Sequence, residues 1–186
     1  AIGFNKPHHP FVAPKKYAIT SPISEIPLPA DFAFQPTLAP GMPKMAMRPN
    51  DTWANQIKTE DVARQRIADY LACVNFLDAM VGDVLSALEK SGVADNTHIV
   101  FLGDHGHLLG EKGMWAKSAI FEPCVRAPLI IRPAPNHRVA KERVTKNSQC
   151  LRVVEFVDLY KTLAELCDID IQWPTDGRRS EEHTSE

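Results

Sequence analysis

The chain has 186 residues, a net charge of −2, 44% hydrophobic residues and 24% charged ones. That length suits one globular domain able to bury roughly two thirds of its unfolded surface, and the near-neutral balance lacks the basic stripe that drives binding to nucleic-acid phosphates. No run of about 18 apolar residues is present to span a bilayer. Cys73, Cys124, Cys150 and Cys167 are irregularly spaced with no CxxC pair, so they form neither a zinc knuckle nor a dense disulfide scaffold. No basic-then-apolar leader opens the chain, which begins on Ala1 as a mid-protein segment would, so targeting stays open.

Ten of the 15 prolines lie in the first 50 residues. Proline fixes φ and removes a donor, so residues 7–50 form neither a regular helix nor a central strand. Phe11, Val12, Tyr17, Ile26, Leu28, Phe32 and Phe34 make this stretch a surface excursion anchored by apolar residues. From Asp61 the pattern changes. Ile67, Tyr70, Leu71, Val74, Leu77, Val81, Val84, Leu85 and Leu88 recur at three and four residues, which predicts a helix over 61–91. Thr59 or Glu60 lies at its start, Gly92 stops it, and Gly82 offers a place to bend. Thr97 to Leu102 reads as a buried strand, the glycine-rich 103–117 as a loop, and Ala127 to Arg132 as a second strand. Residues 136–149 read as a polar loop, and Val153 to Cys167 returns to helical spacing. The succession points to an α/β fold, an open and mostly parallel sheet covered by helices. Residues 179–186, Arg-Ser-Glu-Glu-His-Thr-Ser-Glu, have no apolar residue and read as the translation of a sequencing adapter, so they are set apart as a non-native tail.

Three clusters carry chemistry. The first strand delivers Asp104 and His105 into the glycine-rich loop, and ligands of open α/β sheets bind at the carboxyl ends of strands. The pair reads either as metal ligands or as a turn-capping aspartate beside a polar loop histidine. Lys117, twelve residues after His105, is either a grip for an anionic substrate or a solvated lysine. In Gly3-Phe4-Asn5-Lys6-Pro7-His8-His9-Pro10-Phe11, prolines pin the backbone around His8 while Lys6 adds a cation. Such a preset pair suits anion binding or protonation of a leaving group; the bland alternative is a turn with surface histidines.

Taken in this order, the clusters resemble the sulfatase family, most closely its iduronate-2-sulfatase-like branch. The resemblance rests on Lys6-Pro7-His8 with Pro10-Phe11, on Leu77-Asp78 and Val81-Gly82, and on Asp104-His105-Gly106 with Leu109-Gly110-Glu111. Trp115-Ala116-Lys117, Val125 to Ile130 and Val157-Asp158-Leu159-Tyr160 complete it. It implies an alkaline-phosphatase-like, three-layer αβα sandwich of which residues 1–178 form only part. It further implies a sulfuric ester hydrolase acting on sulfated sugars, 2-O-sulfated uronic acids of glycosaminoglycans being the branch's usual class. Asp104 and His105 would ligate a divalent ion, usually calcium. His8 and Lys117 would be catalytic, with Lys6 and His107 as further substrate contacts. A periplasmic, secreted or lysosome-like location goes with the family. Histidine at position 105, where the wider family more often has asparagine, fits the branch but is an unusual partner for calcium, which prefers oxygen.

The family's nucleophile is a cysteine in Cys-x-Pro-x-Arg that a formylglycine-generating or related enzyme matures. No cysteine here has that context, so the formylglycine belongs to an N-terminal part outside this chain, and the chain alone is expected to be inactive. The alternatives are a piece of a zinc-dependent phosphodiesterase or phosphomutase, and a non-catalytic, lectin-like binding module.

Overall fold

The computed structural model describes residues 1–142 and 149–177. The set-apart tail and the middle of the expected 136–149 loop lie outside the described residues. In chain order the regular elements are α1 (Glu60–Lys90), β1 (Ile99–Leu102), β2 (Leu108–Leu109), β3 (Trp115–Ala116), α2 (Glu122–Val125), β4 (Leu129–Arg132), α3 (Arg138–Glu142) and α4 (Asp158–Leu166). They fall into two compact units, Ala1–Lys90 with Leu102–Leu129, and Ser91–Phe101 with the chain from Ile130 on.

In the first unit, the proline-rich stretch is irregular and punctuated by short 3₁₀ turns. Three of them, Lys15–Tyr17, Ile23–Glu25 and Lys44–Ala46, each follow a proline whose φ near −60° starts the turn. The anchoring is real but selective. Ile26 is buried, Leu28 and Phe32 pack on the core, and Val12 remains 65% exposed. The core they join is the first half of α1, where Ala63, Ile67, Ala68, Ala72 and Cys73 are buried; its small residues let irregular backbone approach closely. Arg64 secures that approach by donating to the carbonyl of Ile26.

The helix keeps its predicted limits because both ends are capped. Val62 N–H donates to Thr59 Oγ1 at 3.3 Å, Glu60 and Asp61 suit the positive N-terminal end of the dipole, and Gly92 follows the helix at φ 75°. α1 runs uninterrupted through Gly82. By length and composition alone it is apolar enough to cross a bilayer, which corrects the expectation drawn from unbroken apolar runs. A core helix meets the same test, and Ala63 to Cys73 are used here as core.

The expected loop 103–117 contains an antiparallel hairpin, β2–β3, with Leu108 opposite Ala116 and Leu109 opposite Trp115. Strands of two residues are too short to show an alternating pattern, so only partners from elsewhere in the unit define them.

In the second unit, β1 pairs with β4. Among the described residues the strands make two two-stranded sheets rather than one continuous layer, because β2 and β3 pair with each other. α3 occupies the start of the expected 136–149 loop. α4 begins at Asp158, five residues later than the periodicity predicts. The Asp158 carboxylate accepts from Glu155 N–H at 3.0 Å and closes a turn there, leaving Val153, Val154 and Val157 exposed.

Candidate active site

All the sequence-selected residues lie in the first unit. β1 ends at Leu102, and Gly103 N–H donates to the Pro128 carbonyl at 3.0 Å, delivering the next two side chains beyond the strand end. Asp104 Oδ1 accepts from the backbone N–H of His105 at 3.1 Å. The His105 ring faces the Gly106 carbonyl through Nδ1 at 2.7 Å. A carbonyl only accepts, so Nδ1 carries the proton and Nε2 keeps its lone pair. That nitrogen stands 3.5 Å from Asp104 Oδ2, and the Asp104 side chain is 87% exposed. The third residue must be glycine: Gly106 N–H bonds the Cys124 carbonyl at 2.7 Å, and a Cβ would sit 1.9 Å from the Pro123 carbonyl oxygen.

The hairpin then presents His107 and Lys117 at its two ends. His107 is half-buried, with ring centroids 5.3 Å from Tyr70 and 5.6 Å from Phe11, and Nδ1 donating to the Leu108 carbonyl at 2.8 Å. Burial pushes its pKa below the usual histidine value against that backbone bond, and the Lys117 ammonium adds to the push, as would His105 and His8 if protonated. The register of the hairpin sets His107 beside Lys117, and Phe11 against the His107 ring brings the N-terminal arm to the same face. Lys117 is half-buried between two non-glycine residues in left-handed backbone, Ala116 at φ 74° and Ser118 at φ 72°. No carboxylate pairs with its ammonium among the described residues.

His8 comes from the N-terminal arm. Its N–H donates to the Asn5 carbonyl at 2.9 Å, and its Nδ1 donates to the His9 carbonyl at 2.7 Å, which again leaves Nε2 free. The expected anion contact Lys6 is otherwise engaged: its ammonium donates to the Pro10 carbonyl at 2.7 Å and ties the arm into a turn. Rings pin the arm from behind, His9 stacked on Trp53 at 4.9 Å and Phe11 edge-on to Tyr70 at 5.5 Å.

The buried thiols and the Tyr70 phenol near these elements are not activated as nucleophiles. Burial raises the pKa of Cys73 and of Cys124, and burial first, then the charges of Cys73 and Glu111, raises that of Tyr70. Such groups stay protonated and inert near neutral pH.

Sequence reasoning missed Arg48 and Asn50. Asn50 donates to the Gly113 carbonyl at 2.8 Å and accepts from Trp115 N–H at 3.1 Å; Arg48 donates to the Lys117 carbonyl at 3.0 Å. They stand 63 to 69 positions from their partners, so no local pattern could reveal them.

With this geometry in hand, comparison with known proteins is decisive. A family model described as sulfatase matches residues 1–169. The chain belongs to the sulfatase family. It is 31% identical to human iduronate 2-sulfatase over 204 aligned positions, covering 92% of this chain and 36% of that protein. Among solved structures it resembles the phosphonate monoester hydrolase SpPMH from Silicibacter pomeroyi, with a TM-score of 0.70 at 25% identity, covering 97% of this chain and 36% of that one. It also resembles BT4656 in complex with its substrate D-glucosamine-2-N,6-O-disulfate, with a TM-score of 0.57 at 31% identity, covering 67% and 24%. The fold is thus a partial alkaline-phosphatase-like sulfatase domain, and the chain spans about a third of the length of the curated sulfatases it matches.

Sulfatases are generally metal-dependent, which makes the donor set here a test. Asp104 offers a carboxylate oxygen and His105 an imidazole nitrogen beside it, both suited to a divalent cation. Among the described residues no group of three or more such side chains converges, so these two would be a partial set.

Proposed function

We propose that the whole protein to which this chain belongs is a sulfuric ester hydrolase acting on sulfated sugars, with 2-O-sulfated uronic acids as its substrate class. The observation that carries this is the hairpin register, which sets His107 and Lys117 side by side at the ends of its paired strands, while the Phe11–His107 ring contact at 5.6 Å brings the arm that carries His8 alongside them. The likeness to an iduronate 2-sulfatase and to a protein bound to a sulfated glucosamine supports the substrate class.

In this reading Lys117, unpaired among the described residues, binds the sulfate oxygens by a charge-assisted contact. His8 turns its free Nε2 to the bridging oxygen and, acting as an imidazolium, gives that oxygen its proton as the sugar leaves, returning to the neutral ring. His107 stays neutral and accepts a substrate hydroxyl at Nε2. Asp104 and His105 would hold the divalent cation, calcium by family habit, whose chemistry is to polarise the ester oxygens. The matured nucleophile comes from the part of the protein outside this chain, and so does the maturation enzyme's recognition sequence.

The other reading, a phosphonate or phosphate ester hydrolase, draws on the likeness to SpPMH and on His105, a natural zinc ligand. The deciding experiment assays the intact protein on a 2-O-sulfated uronate disaccharide, a phenyl phosphonate monoester and a phosphodiester, with its metal content measured. Turnover of the sulfate ester with calcium bound is the expected result. Preference for the phosphorus esters with stoichiometric zinc overturns it.

A further inference from the structure

Lys117 sits between two residues in backbone that L-residues rarely adopt. Ala116 and Ser118, its two neighbours, both lie in the left-handed region, and neither is glycine. Within the hairpin nothing compensates, since β3 ends at Ala116 and the register stops with it. The Cys124 thiol donates to the Ala116 carbonyl at 3.8 Å, and the remaining restraint comes from the proline-rich segment. Asn50 grips the hairpin with both ends of its amide, one on the Gly113 carbonyl and one on Trp115 N–H. Two residues earlier, Arg48 places one guanidinium nitrogen on the Lys117 carbonyl, and its other terminal nitrogen lies 3.2 Å from Asp51 Oδ1, which fixes the plane of the fork. Pro49 between them fixes the backbone φ from which both reach. Asn55 in turn donates to the Asn50 carbonyl at 3.2 Å.

We infer that Arg48 and Asn50 are positioning residues: they hold the strained 116–118 backbone so that Lys117 presents its ammonium to the substrate anion. This rests on the sulfate-binding role proposed for Lys117. Arg48 makes its contact with a carbonyl and uses its planar fork, so a lysine at 48 could not hold both Lys117 and Asp51. Misplacing a substrate-binding group by about 1 Å can cost up to a hundredfold in rate, so the loss of one restraint has a readable effect.

The test is a double-mutant cycle in the intact protein, with Arg48→Met, Lys117→Ala and the double variant. It reads kcat and KM on the sulfate ester, the inhibition constant of free inorganic sulfate, and the melting temperature. Alone, Arg48→Met is expected to weaken sulfate inhibition and lower kcat/KM about tenfold, while on the Lys117→Ala background the same change has less than about a twofold effect. An equal loss on both backgrounds overturns the positioning role and leaves the sulfate grip standing. Wild-type kinetics for Lys117→Ala overturn the grip and, with it, this inference. Should Arg48→Met fail to fold, Asn50→Ala carries the same cycle, since it removes both the donor to Gly113 and the acceptor for Trp115 N–H without adding a charge. Arg48→Lys is expected to recover less than half of the activity that Arg48→Met loses, and full recovery would overturn the role given to the guanidinium fork.

Discussion

Segments 103–117 and 5–11 meet where Phe11 packs on His107, yet they are held by opposite means. The hairpin segment is braced by distant backbone. Gly106 lies against α2, Gly110 against Phe32, Gly113 against the Gln35 carbonyl, and Asn50 and Arg48 fasten the far end. The arm is braced mainly by itself, through hydrogen bonds spanning two to four residues, and beyond that by ring faces of Trp53 and Tyr70. Hydrogen bonds to fixed backbone define a position more sharply than half-exposed ring contacts do. On the proposed roles, the anion grip Lys117 sits on the more firmly braced segment and the proton donor His8 on the more exposed one.

The largest expected effect breaks the rigid side of this contrast. Gly113→Ala would place a Cβ 1.9 Å from the Gln35 carbonyl oxygen at φ 74°. It should cost about 4 kcal/mol or more and leave little folded protein by thermal melting. Gly3→Ala near the arm has open space around it and should change stability by less than about 0.5 kcal/mol. Equal tolerance at the two glycines would show that the contrast is not real.

Next come the two chemical groups. Lys117→Ala in the intact protein should lower kcat/KM about ten- to hundredfold for every sulfate ester, the loss of a charge-assisted contact of about 1.5–3 kcal/mol. His8→Ala should cost as much only for esters with poor leaving groups, and little for an activated aryl sulfate. A slope of rate against leaving-group pKa that is the same in both variants would merge the two roles.

Phe11→Ala should cost about 1–2 kcal/mol of stability, less than a fully buried ring. It should reduce the His8-dependent part of the rate while leaving inhibition by free sulfate within about twofold. Coupled loss of both would mean that arm and hairpin move as one.

The smallest effect is in pH. His107 titrates below its unfolded value of about 6.5, so the unfolded chain binds the extra proton first. Stability is therefore lost as pH falls below about 6.5 and levels off once the folded histidine also protonates. His107→Gln should remove that component, so its stability relative to wild type should rise between pH 7.5 and 5 in denaturant titrations. A pH-independent difference would mean that the folded environment does not oppose the charge.

Much of this was legible in the residues themselves. The three- and four-residue spacing from Ile67 to Leu88, with Thr59 before it and Gly92 after it, specifies α1 almost to the residue, because helix bonds and caps are local. Two apolar, β-branched runs specify β1 and β4, and the first places Asp104 and His105 at a strand end. The tertiary structure alone decided the rest. It made a hairpin of a glycine-rich loop, set Gly106 and Gly113 against distant backbone, and set Arg48 and Asn50 on that hairpin 63 to 69 positions away. Each of those outcomes depends on which backbone donor or carbonyl is left unpaired after the chain has closed its long loops. A one-dimensional pattern does not carry that information, because the partner is chosen by distance in space and not by spacing in sequence.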